Sequence, residues 1–364
     1  MKRAGNQLVA IFVFLSFLGC HENPGKISSN GPRSKQDILM DSLQVLDSLV
    51  MKYKAKNADE SLKYAKIADN IAWELNTPEA RAKAYITLGN AHAVITIDSG
   101  LFFHRKALAV IDSFDLTDKK GQVLYNLGML YRKVNNYEKC ITFIDSALWY
   151  SVSVNDFKTM SNALNALGGW YLNIGEKVKA RQLFDSAFAV AQRESLYLQM
   201  GSALGNLARF ETDSKKSIRM QRRAISYLEK GSGSDEPIAL SLTNIGYRLP
   251  DPDSAIYYFN RAINMVSLEF SPEVIIGAYN NMAYCYLAKD DVNNAEKCIL
   301  EHALPVAVKT NNIDWQSTVY DTYADILHLK GKSNDAMVYK NKAKDAKREF
   351  KGSVSAILHS AGNH

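Results

Sequence analysis

The sequence predicts an all-α protein built as an array of about eight helical hairpins. Three observations predict it. A short phrase returns along the chain, as YNLGMLY at 125–131, ALGGWYL at 166–172 and NNMAYCY at 280–286. An octet also recurs, as CITFIDSA from 140 and ARQLFDSA from 180, with copies starting at 61, 100, 217, 255, 295 and 336. The octets start 37 to 41 residues apart, and a period in that range marks a solenoid. Finally, Ala180, Leu183, Phe184 and Ala187 stand at i, i+3, i+4 and i+7, one apolar helical stripe. No alternating stretch suggests a strand.

The first 19 residues stand apart from this array. Lys2 and Arg3 precede an apolar run of 11 residues, Leu8 to Leu18, broken only by Ser16. At about 1.5 Å per residue the run spans roughly 16 Å, too short for a bilayer core of about 30 Å. It reads as an export signal. The ending Phe17-Leu18-Gly19-Cys20 resembles a bacterial lipoprotein signal, although Phe17 and Leu18 match that pattern loosely. The resemblance implies cleavage before Cys20 and its lipidation; the alternative is an ordinary secretory signal with an incidental cysteine. Several acyl chains would anchor firmly, at about 0.8 kcal/mol per buried CH₂. Residues 20–36 then form a tether rich in Pro, Gly and Ser. The resemblance implies a location in a bacterial cell envelope, facing periplasm or cell surface. Residues 21–23, His-Glu-Asn, lack the Asp that retains some lipoproteins at the inner membrane, which favours the outer one.

The repeat domain covers residues 37–350, with 351–364 as a tail. Its helices carry start signals. Thr77-Pro78-Glu79 and Ser271-Pro272-Glu273 each offer a capping hydroxyl, a Pro at the first helical position and an acid at the N-terminus. In the first helix of seven hairpins a Gly or Ala follows a large apolar residue, at Gly89, Gly128, Gly168, Ala208, Gly246, Ala283 and Ala324. A mid-helix Gly costs about 1 kcal/mol relative to Ala, so its return predicts close packing of the second helix there. Gln221 and Lys340 replace the aromatic of their octets, marking weaker copies.

Leu167-Gly168-x₂-Tyr171 with Ala180, Phe184 and Ala187 resembles the tetratricopeptide repeat. The resemblance implies a right-handed superhelical solenoid whose first helices line a concave face, and a protein or peptide partner. The period near 39, rather than 34, and the missing closing Pro are departures. Asn126, Asn206, Asn244 and Asn281 stand two residues before the small position, with Asn165 slipped by one. An amide carries donor and acceptor together, so a series of them could bracket an extended peptide backbone. The competing reading is packing between helices. Met129, Arg209, Tyr247 and Tyr284 lie about a turn further on, Arg132 and Lys133 about a turn beyond that, and together they complete the candidate peptide site.

Other classes find little support. The formal charge of +6 falls to +4 without Lys2 and Arg3, and basic and acidic residues alternate, which argues against nucleic acid. The seven His show no metal-binding spacing, no nucleophile elbow or phosphate loop occurs, and the expectation is no cofactor, no metal, no small-molecule substrate and no enzyme activity. Cys285 and Cys298 could pair or remain buried thiols. The alternative function is an extracytoplasmic sensory or regulatory module acting through a separate membrane partner.

Overall fold

The computed structural model describes residues 34–361, apart from 55, 232–234 and 269–270; the signal sequence, Cys20 and most of the tether lie outside the described residues. The array begins with α1 (Lys35–Tyr53) and α2 (Ala58–Leu75), followed by α3 (Pro78–His92) and α4 (Ile97–Ser113). Next come α5 (Thr117–Lys133) with α6 (Tyr137–Ser153), and α7 (Phe157–Ile174) with α8 (Lys177–Arg193). Then α9 (Tyr197–Leu207) and a 3₁₀ turn, Ala208–Phe210, pair with α10 (Ser214–Lys230), and α11 (Asp235–Arg248) pairs with α12 (Pro252–Met265). The seventh hairpin joins α13 (Pro272–Leu287) to α14 (Val292–Lys297), a π-turn (Cys298–Ala303) and α15 (Leu304–Lys309). The eighth joins α16 (Ile313–Leu329) to α17 (Ser333–Ala361). Every repeat octet falls in the second helix of its hairpin, and the described residues contain no strand.

One turn type is reused between helices. A residue in the left-handed region ends one helix and the next residue caps the following one, as in Asn135-Asn136, Asn155-Asp156 and Asn311-Asn312. Asn and Asp tolerate this conformation better than other residues with a Cβ. Their side chains also accept from the N3 amide, as Asn136 does from Lys139 at 3.1 Å and Asp156 from Thr159 at 3.1 Å. Thr77 caps α3 as predicted, accepting from Ala80 N at 3.2 Å. Ser271 does not cap α13 through its side chain. Its residue is buried with ψ at 57° rather than extended, and its carbonyl takes the Val274 amide instead.

The glycines set the spacing within hairpins. An added Cβ on Gly168 would stand 2.8 Å from the Phe184 ring, and on Gly246 2.7 Å from the Phe259 ring. At Gly89, Gly128, Gly168 and Gly246 the bulky residue, His104, Ile144, Phe184 or Phe259, comes from the octet of the second helix. The π-turn has a local cause as well. Pro305 lacks the N–H that would reach back four residues, and its ring crowds the preceding turn, so the helix widens before it.

The superhelix curves until its turns meet. Asn135 Nδ2, in the α5–α6 turn, donates to the carbonyls of Thr310 and Asn311 at 3.1 and 2.9 Å. Lys56 pairs with Asp235 at 3.3 Å, and Arg132 with Glu273 at 3.7 Å. Residues 351–361, read from sequence as a tail, continue α17 as helix, and Val354 and Leu358 are buried in one core cluster with Leu127 and Phe184. The end of the array thus packs on α6 and α7, four to five hairpins earlier.

Candidate functional site

The curvature encloses a concave cavity of about 830 Å³. Its floor comes from the first helices of successive hairpins, α5, α7, α9 and α11. The far wall is α15, α16 and Phe350 of α17. First helices face inward because their small residues and the octets of the second helices occupy the hairpin interior. Their remaining face is left to line the concave side.

Asn165, Asn206 and Asn244 all reach this cavity, one from each of α7, α9 and α11. Asn206 Nδ2 donates to Asn165 Oδ1 at 3.0 Å. That bond uses half of each amide. It leaves the Asn165 amide hydrogens, the Asn206 carbonyl and the entire Asn244 amide without partners among the described residues. Met129, Arg132 and Lys133 of α5 also line the cavity. Gly169 lines it too, and a Cβ there would meet nothing within 4 Å; bare helix backbone is presented to open space.

The other candidates lie elsewhere. Asn126 donates to Asn90 Oδ1 at 3.3 Å, and Asn90 in turn donates to Asp47 at 3.3 Å, so this amide is engaged with neighbouring helices. Asn281 is half-buried in α13, away from the cavity lining. Arg209 and Tyr247 are exposed, and Tyr284 donates to Asp325 at 3.5 Å on the outer side. In α5, Met129 and Arg132 line the cavity where Asn126 does not.

Several lining residues were not singled out from sequence. Tyr137, Trp170 and Phe350 form an aromatic wall: the Tyr137 ring lies 5.4 Å from both others, in edge-on contacts. Trp170 is buried in the core while also facing the cavity. Phe350 comes from 175 or more residues downstream of α7, which no local pattern signals.

Charge enters with Glu236, Glu273, Asp314 and Arg132. Loss of hydration raises the Glu236 carboxyl above its ordinary range; Glu273 adds to this and Arg132, Lys133 and Lys54 oppose it. Asp314 is likewise raised by burial, against Lys347, Lys351 and Arg209. For Arg132, burial favours the neutral form, but Glu273 and Glu236 outweigh it and the guanidinium stays charged. Its Nε has no hydrogen-bond partner. The arrangement offers amide donors and acceptors, an aromatic wall and fixed charges, which suits recognition of an extended polar chain. Past Cys20 the three cysteines are free thiols, and none lines the cavity.

A family model described as tetratricopeptide repeat matches residues 121–148, the third hairpin with its YNLGMLY and CITFIDSA phrases. No curated protein matches the sequence. Among solved structures, the chain is similar to a Rap protein complexed with competence and sporulation factor, at TM-score 0.58 and 13% identity, covering 88% of each chain. It is also similar to the apo form of the quorum sensor NprR from B. thuringiensis, at TM-score 0.55 and 13% identity, over 95% of this chain and 94% of that one. A third likeness is to the APC/C hetero-tetramer Cut9-Hcn1, at TM-score 0.53 and 16% identity, over 79% of this chain and 52% of the other. At these identities the likeness is one of fold, and the fold is a tetratricopeptide-type helical solenoid.

Proposed function

We propose that the protein is a scaffold that holds a peptide, or an extended segment of an envelope protein, in its concave cavity. It is anchored to a bacterial membrane through lipidated Cys20, and its role is binding rather than catalysis. The observation that carries this reading is the convergence of Asn165, Asn206 and Asn244, from three successive hairpins, on one cavity with free amide groups. Repeated amides at hairpin spacing engage a peptide backbone, which every sequence shares. The likeness to Rap, solved with a bound factor, and to Cut9, solved with Hcn1, supports a solenoid used for binding.

Gly169 supplies the test. Leu at this position would project into the cavity from a Cβ that meets nothing within 4 Å, and helix propensity favours it by up to about 1 kcal/mol. Crosslinking in envelope extract, read by mass spectrometry, should show partners captured by the wild type and lost in both Gly169→Leu and the Asn165→Ala/Asn206→Ala/Asn244→Ala variant. Circular dichroism should not change. Partners kept by both variants would move binding off the concave face. The anchor is tested separately: Cys20→Ala should release the protein from the membrane fraction and abolish the mass of the acyl chains.

A further inference from the structure

Six charged side chains line the cavity: Arg132, Lys133, Lys309, Glu236, Glu273 and Asp314. They do not share one depth. Lys133 and Lys309 are exposed, and a lysine at a rim carries its ammonium out to water on a flexible stem. The other four are only partly exposed. Arg132 faces Glu273 across the seam between superhelical turns at 3.7 Å, which accounts for one charge of each sign. Glu236 and Asp314 remain. Among the described residues neither carboxylate has an ion-pair partner within 4.0 Å or a side-chain hydrogen bond.

Both acids stand in the first turn of their helices, α11 and α16. A helix N-terminus eases a negative charge but supplies no counter-ion. Arg132, Lys133 and Lys54 act on Glu236 at a distance, as do Lys347, Lys351 and Arg209 on Asp314. Cations at that range temper the field without forming a bond. A carboxylate removed from water and left unpaired is costly, and contact with a cation of matching geometry relieves that cost. Glu236 also opens the helix that carries Asn244, eight residues and about 12 Å along its axis. A backbone held at the asparagines therefore brings its side chains within reach of Glu236.

We propose that the cavity selects a segment bearing a basic side chain, whose cation pairs with Glu236 or Asp314. The proposal rests on the peptide-binding reading of the same cavity. The aromatic wall of Tyr137, Trp170 and Phe350 complements it, since a guanidinium packs on such faces.

The test uses two pools of nonapeptides, fluorescein-labelled at the amino terminus and amidated at the carboxyl terminus. They are random except at the centre, which is arginine in one pool and citrulline in the other. Citrulline keeps the shape of the side chain and removes the charge. Fluorescence anisotropy against the full chain in detergent should show the arginine pool bound at least about tenfold more tightly, the size expected of one charge-assisted hydrogen bond. The preference should fall to near unity in Glu236→Gln/Asp314→Asn, and Gly169→Leu should abolish binding of both pools. Equal binding of the two pools by the wild type, with both lost in Gly169→Leu, overturns the cationic preference and leaves the peptide site standing. No binding of either pool, or binding indifferent to Gly169→Leu, overturns the peptide reading and this inference with it.

Discussion

Gly168 of α7 lies flat against the ring of Phe184 in α8, close enough that a single added Cβ would stand 2.8 Å from Cε1 and 2.9 Å from Cδ1. Phe184 is fully buried, so the ring cannot swing away. Gly168→Ala gains about 1 kcal/mol of helix propensity and loses more to overpacking, typically 1–3 kcal/mol. The expected net effect is a lower urea midpoint by urea denaturation followed by circular dichroism. The control is Gly169→Ala, one residue on, where open space leaves only the propensity gain and the midpoint should rise.

This contrast shows what was legible in the sequence. The small residue of seven first helices was visible at a period of about 39 residues, and its packing role follows from the cost of glycine in a helix. Gly169 carries no such signal, because the open space before it is bounded by a far wall, Lys309 to Trp315 and Phe350, that lies distant in the chain. The asparagines were legible as a series, but only Asn165, Asn206 and Asn244 converge. Their fates depend on rotation between neighbouring helices, which a period alone does not give. Glu236, Asp314 and Phe350 became cavity residues through closure of the superhelix, a long-range event. The paired turn residues, such as Asn135-Asn136 and Asp290-Asp291, are readable locally as helix boundaries.

His104 occupies the place in its octet that Phe184 and Phe259 hold in theirs, and a Cβ added at Gly89 would stand 2.8 Å from its imidazole. The ring is 1% exposed and Nδ1 has no partner. Burial, assisted by Lys54, lowers its pKa to about 3. The folded state therefore holds His104 neutral, while the unfolded chain takes up a proton near pH 6.5. Stability attributable to this residue is intact above pH 6.5 and is lost as pH falls from there toward about 3. The slope is about 1.4 kcal/mol per pH unit. His104→Phe should flatten the acid limb of a pH series of urea midpoints relative to wild type. Parallel limbs in the two proteins would show that His104 is not held neutral.

Cys140 is buried, and loss of hydration pushes its thiol up to about 12; Cys298 is pushed up to about 11 by burial, with Cys285 adding to it. The thiolate is the reactive form, and at pH 8 its share at Cys140 is on the order of one in ten thousand. Cys285 is half-buried and also raised by burial. Native full-chain protein treated with iodoacetamide at pH 8 should be labelled first at Cys285, then Cys298, and at Cys140 only on unfolding. Peptide mapping reads the order. A Cys285–Cys298 bridge in the untreated protein would instead remove both sites from the map.

Phe350 closes the array. It is 3% exposed, packs edge-on against Tyr137 at 5.4 Å, and lies 6.4 Å from Trp170. Val354 and Leu358 follow it at one-turn intervals, 0% and 3% exposed, and with it form the apolar stripe that docks on α6 and α7. The polar part of the seam is slight: two hydrogen bonds from Asn135 and two ion pairs, Lys56–Asp235 at 3.3 Å and Arg132–Glu273 at 3.7 Å. The apolar stripe therefore does most to hold the two superhelical turns together. Phe350→Ala removes the ring that faces the cavity, with an expected cost of about 3–5 kcal/mol to the docked state. The first half of α17 keeps its contacts with α16, including the Ser317 hydroxyl donating to the Ala343 carbonyl at 3.0 Å, so the loss should be local. Hydrogen exchange should accelerate at residues 351–361 and leave 333–343 protected, and tryptophan emission should shift to the red as Trp170 meets water. Unchanged exchange at 351–361 would mean that the closure is held by the polar seam, and Asn135→Ala should then open it in place of Phe350→Ala.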